Sequence, residues 1–137
     1  MGLYLCVFED EEELEGVEVG SYADFGELRD YVTRELEGGM QGSRFPTLIL
    51  HSDCDGEWSA AECQTLRDEL TTIATELSAR PGVAFYSEWQ RNVAKSIGLV
   101  PKNAFESFID VDGEFLLERL RWLADFAYRQ QLPILFQ

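Results

Sequence analysis

The chain has 137 residues, enough for one domain with a single core that needs no disulfide or metal staple. Apolar residues make up 45% of it, which excludes a disordered chain, and no apolar stretch reaches the ~18 residues that span a bilayer. Twenty-six acids against eleven bases give a net charge of −15, which argues against nucleic acid and anionic membranes as partners and favours basic ones.

The acidity is uneven. Residues 1–87 hold 19 Asp and Glu against 5 Lys and Arg, whereas residues 88–137 hold 7 against 6. A one-signed face that steers a basic partner explains the skew, and a coat that keeps the protein soluble explains the total. Three cysteines without metal-type pairing, Cys6, Cys54 and Cys63, suit a reducing compartment. Met1-Gly2-Leu3-Tyr4 opens no basic region, signal-peptide core or cleavage site, so the expected location is cytoplasmic.

In chain order, Leu3 to Phe8 is a continuous apolar run and reads as a core strand over 3–8 with both faces covered. Glu9, Asp10, Glu11, Glu12, Glu13 and Glu15 follow, and like charges this dense predict a solvated hairpin loop. Val17-Glu18-Val19 alternates and should pair back on the first strand. Ser21 with Asp24 three residues on is a helix-start signature for 22–37, and Gly38-Gly39 stops that helix. A Gly-rich loop without a phosphate-binding pattern leads to Pro46 and a predicted strand at 47–51. A long helix over 59–79 should bury Cys63, Leu66, Leu70, Ile73 and Leu77, with Asp68, Glu69 and Glu76 facing water. Val83 to Tyr86 reads as a strand. A helix over 88–97 should carry Trp89, Val93 and Ile97 on one face. A strongly apolar helix spans 114–130, and 133–136 reads as a final edge strand. The sum is one α+β domain over 1–137: a small, mostly antiparallel sheet covered by about four helices.

One stretch invites chemistry. Thr47 to Leu50 leads into His51-Ser52-Asp53-Cys54-Asp55-Gly56-Glu57-Trp58, and Asp110-Val111-Asp112-Gly113-Glu114-Phe115 repeats its Asp-x-Asp-Gly-Glu-aromatic core. Placed on a calcium loop, Asp53, Asp55 and Glu62 take ligand positions, making a calcium, magnesium or small metal-dependent enzyme site the alternative reading. His51 is a poor first ligand, however, and Ser59-Ala60-Ala61-Glu62 is equally a capping box. A lone histidine beside aspartates offers general acid–base catalysis, yet it lacks a nucleophile motif and a nucleotide loop. The structural reading makes both copies strand-to-helix turns, with Asp forming the turn and Gly supplying positive φ. No cofactor is expected.

Gly2-Leu3-Tyr4-Leu5, His51 to Trp58 with Leu66 and Glu69-Leu70, Ser107 to Asp110 with Gly113 and Leu116-Leu117, and Pro133 to Gln137 resemble the immunity protein 70 family over nearly the whole chain. That family comprises predicted antitoxins of bacterial polymorphic toxin systems. The resemblance implies a non-catalytic protein that inactivates a cognate toxin by binding it. The acidic face adds that the toxin is basic. The residues expected to meet it are Glu9, Asp10, Glu11, Glu12, Glu13, Glu15, Asp53, Asp55, Glu57 and Trp58; an aromatic ringed by acids has hot-spot composition. Against this, Trp58 is equally placed to be core.

Overall fold

The computed structural model describes residues 2–137. Its scaffold is a four-stranded antiparallel sheet built from β1 (Gly2–Glu9), β2 (Glu12–Ser21), β3 (Glu57–Trp58) and β4 (Ile134–Phe136), in the order β2-β1-β4-β3. Helices α1 (Tyr22–Leu36), α3 (Ala60–Ser78) and α5 (Leu116–Gln130) share its core, joined by the short α2 (Pro46–Ile49) and by α4 (Glu88–Ile97). The α+β expectation holds.

Local signals placed the helices well. The Ser21 hydroxyl accepts from the Asp24 amide at the start of α1, and Ser87 accepts from the Gln90 amide before α4. Ahead of α3, the Ser59 hydroxyl accepts from the Glu62 amide at 3.1 Å while Glu62 accepts from the Ser59 amide at 3.0 Å. This reciprocal box satisfies two otherwise orphaned donors. Ser59→Ala should therefore cost about 1 kcal/mol in urea denaturation.

The acidic stretch is not a loop. Strands β1 and β2 continue through it to Glu9↔Glu12, leaving only Asp10 and Glu11 as the turn, with φ of 51° and 72°. Two consecutive positive-φ residues form the tight hairpin turn that matches strand twist, although Asn-Gly or Asp-Gly is the usual filling.

The predicted strand at 47–51 is absent. Pro46 takes the first position of α2, where its missing N–H costs nothing, and the carboxylate of Glu69 accepts from the amides of Thr47 and Leu48 at 3.2 and 3.0 Å. Glu69 is thus buried rather than solvent-facing, and it caps a helical turn from 21 residues away. The strand at 83–86 is absent too: the Val83 amide donates to the Ser107 hydroxyl and the Tyr86 amide to Gln90, so neither is left for a sheet. Strand β4 is internal, between β1 and β3, not at an edge. Helix α4 turns Gln90 and Ala94 inward and leaves Trp89 and Ile97, from the face predicted to group Trp89, Val93 and Ile97, exposed.

One face of the sheet carries the core. Leu3, Leu5, Val7, Val17 and Val19 point to the helices, joined by Trp58, Ile134 and Phe136. Alternation sends Tyr4, Cys6, Phe8 and Leu135 to the other face. That face is covered chiefly by its own side chains, contrary to the two-sided burial expected of β1. The Tyr4 phenol lies directly over Gly16, where a Cβ would stand 2.0 Å from its oxygen. Cys6 is buried beneath, and burial pushes its thiol up to about 11.

Candidate functional site

The two acidic turns share a sequence pattern but not a structure. In the first, the chain enters from α2 and His51 is fixed before the carboxylates begin. Its ring stacks on Phe136 with centroids 4.3 Å apart, and its Nδ1 and Nε2 each lie 2.8 Å from a backbone carbonyl, of Ser52 and Glu57. A neutral imidazole donates to one of these carbonyls at a time; with both nitrogens turned to the backbone, the ring is a strut between loop and strand and presents neither nitrogen to a substrate. The Arg29 guanidinium donates to the carbonyls of Ile49 and His51, fixing the loop from the other side. Burial pulls that guanidinium below its ordinary value.

Asp53 and Asp55 stand exposed beyond this strut. The calcium reading needs them to converge with Glu62, whose carboxylate instead faces the Ser59 amide. Among the described residues, no three of His, Cys, Asp and Glu gather closely enough to hold a metal ion.

In the second turn Asp110 is 3% exposed, and its Oδ1 accepts from the amides of Asp112 and Glu114, both at 2.9 Å. Burial raises its pKa while those two amides pull it back. The Arg119 guanidinium lies 3.6 Å from Oδ2 and also reaches the Gly16 carbonyl. Here the aspartate is a buried organiser, whereas Asp53 is free. The glycine alone does one job twice, with φ of 85° at Gly56 and 87° at Gly113. Only the second copy is entered from a strand-like residue, Ile109, which bridges to Phe115.

The predicted contact residues divide. Glu9, Asp10, Glu11, Glu12 and Glu13 are exposed along the hairpin, Glu15 is half-buried, and Glu57 is exposed on β3. Trp58 is removed from the surface: it is 1% exposed, packs edge-on against Phe136 at 4.7 Å, and its indole N–H donates to the Thr47 carbonyl at 2.9 Å. Its large apolar area drives it inward, and the Thr47 carbonyl removes the penalty of burying its one donor.

The sheet's outer face supplies what Trp58 does not. Antiparallel partners point the same way, so Glu13 stands beside Phe8, Glu18 beside Tyr4 and Glu57 beside Leu135. The result is a half-buried apolar strip of Tyr4, Phe8 and Leu135, rimmed on both edges by carboxylates. The two rims lie three strand spacings apart, roughly 14 Å. Burial, followed by the adjacent Glu13, pushes the Tyr4 phenol up to about 12, so it stays a neutral donor. Sequence reasoning missed Tyr4, Phe8, Glu18 and Leu135 because the unbroken apolar run of β1 hides which face is open.

Among the described residues, no helix is long and apolar enough to cross a membrane. No curated protein and no solved structure matches the chain. A family model described as Immunity protein 70 matches residues 3–136, nearly the full length. The chain therefore belongs to the immunity protein 70 family.

Proposed function

We propose that this protein neutralises a basic toxin domain of a bacterial polymorphic toxin system, in the cytoplasm and without catalysis, by covering it with the acidic hairpin and the outer face of the sheet. Family membership implies a toxin-neutralising role and a cognate toxin partner. The observation that carries the rest is the cost built into the hairpin. Glu9 faces Glu12 directly, five further acids crowd the same ribbon, and Asp10 and Glu11 hold positive φ in place of the usual glycine. Opposed like charges and a non-glycine left-handed turn each destabilise a hairpin, so folding alone gives no reason to accumulate them. A cationic partner does, because a one-signed face steers encounter and relieves the repulsion on docking.

The test is the association rate with the cognate toxin domain. Glu11→Lys, Glu13→Lys and Glu57→Lys should each slow association several-fold at low salt. The difference should fade as ionic strength rises through about 0.15 M, where the Debye length is about 8 Å. Unchanged rates in all three at low salt would leave the acidity as a solubilising coat.

A further inference from the structure

Between β1, the end of β2 and helix α4 lies a groove of about 530 Å³, floored by Gly2 and Gly20. Its walls are apolar and aromatic, from Tyr4, Trp89 and Val111, and its polar lining includes Glu18 and Asp24. Trp89 is 57% exposed, although its indole is held by a bond from Nε1 to the Val111 carbonyl at 3.3 Å. A tryptophan kept outside in a fixed pose is a prepared surface rather than a frayed one.

Asp24 is the unexplained group. It is 4% exposed, and its Oδ2 accepts from the Ser87 hydroxyl at 3.2 Å. Its Oδ1 is buried and has no hydrogen-bond partner among the described residues. A carboxylate with one oxygen removed from water and left unpaired carries a desolvation penalty, which a cation meeting its other oxygen, Oδ2, from the groove side offsets. Gly20 leaves the approach to Oδ2 open from the groove side, since a Cβ there would sit 3.3 Å from that oxygen. Among the described residues, no Lys or Arg lines the groove to meet that need from within.

We infer that this groove receives an arginine side chain of the protein's partner, with Asp24 as its ion-pair acceptor and Trp89 as its stacking surface. Arginine suits the site better than a shorter or neutral side chain. Its methylene stem can lie against Tyr4 and Val111, its planar head stacks on an indole, and its five donors can serve Asp24 and Glu18 together. An arginine seated on an aromatic beside a buried acid is also the composition of an interface hot spot. The inference rests on the toxin-binding reading for the identity of the partner, but not for the chemistry of the groove.

The experiment uses N-acetyl-arginine methylamide titrated into the full chain, followed by amide and indole N–H resonances. Binding in the millimolar range should shift the Trp89 indole and the amides of residues 2–4 and 20–24, weaker by about tenfold in Asp24→Asn and in Trp89→Ala. The citrulline analogue, equal in shape but uncharged, should leave those resonances in place, and the lysine analogue should bind more weakly than arginine. Asp24→Asn is nearly isosteric, and the same spectra report whether it is folded; Glu18→Gln, on an exposed position, gives a second and smaller reduction. Arginine that moves none of these resonances, or that binds Asp24→Asn as well as the wild type, overturns the inference. The toxin domain separates the two claims. A toxin that binds wild type and Asp24→Asn equally overturns the groove and leaves toxin binding standing. A toxin that ignores the wild type, while arginine still enters, overturns the partner and leaves the groove.

Discussion

Trp58→Ala is expected to lower the unfolding free energy by about 3–5 kcal/mol, the usual cost of emptying a large aromatic from a core. The side chain is among the largest fully buried ones, in contact with both Phe136 and His51. Its loss strips the support from the His51 ring and leaves the Thr47 carbonyl without its donor. Trp58→Phe keeps the apolar burial and loses that bond, so it should cost less, about 1–2 kcal/mol. Urea denaturation of both variants checks this. The outcome also assigns the residue its role: a core tryptophan changes stability in this order, whereas a surface contact changes toxin affinity and leaves the urea midpoint alone.

Glu37→Ala is expected to cost about 3–5 kcal/mol, because one buried carboxylate organises the whole Gly-rich connection after α1. It accepts from the amides of Gly42, Arg44 and Phe45 at 3.0, 3.0 and 2.9 Å and from the Thr33 hydroxyl at 3.2 Å. Removing it leaves three amide donors unpaired at once. Burial works against its charge, yet the three amides and the hydroxyl outweigh that and hold its pKa below the usual carboxylate range. The folded pKa lies below the unfolded one, so its contribution is complete above about pH 4.3 and is lost as pH falls through the depressed folded value. Asp110 has the opposite sign: burial raises its pKa, so its ionised form costs stability above that value and the cost disappears on protonation. Urea midpoints across the acid range should therefore fall more steeply for wild type than for Glu37→Gln, which has no such proton to take up. Parallel curves would show that Glu37 does not carry the acid sensitivity.

The sequence by itself determined what is settled within one helical turn or one hairpin. Ser21, Ser59 and Ser87 mark helix starts because a hydroxyl reaches an amide three residues on, and the 88–97 prediction matches α4 residue for residue. The pairing of Val17-Glu18-Val19 onto the first strand was legible for the same reason, since only a two-residue turn separates the strands. The Asp-x-Asp-Gly-Glu-Trp segment and the flanking patterns were enough to point to the family. Only the tertiary structure decided the rest. Thr47 to Leu50 has strand-like residues but bends into a helical turn, because Glu69 lends it a cap from the following helix. The internal place of β4 depends on β1, more than a hundred residues earlier, and a short apolar run carries no mark of which neighbour it will find. Acidic turns of one pattern diverge because one is entered from a helix and the other from a strand-like bridge, which buries Asp110 and leaves Asp53 in water. The places of Trp58 and Trp89 were likewise settled only in three dimensions: one indole N–H donates to the Thr47 carbonyl in the core, the other to the Val111 carbonyl at the surface.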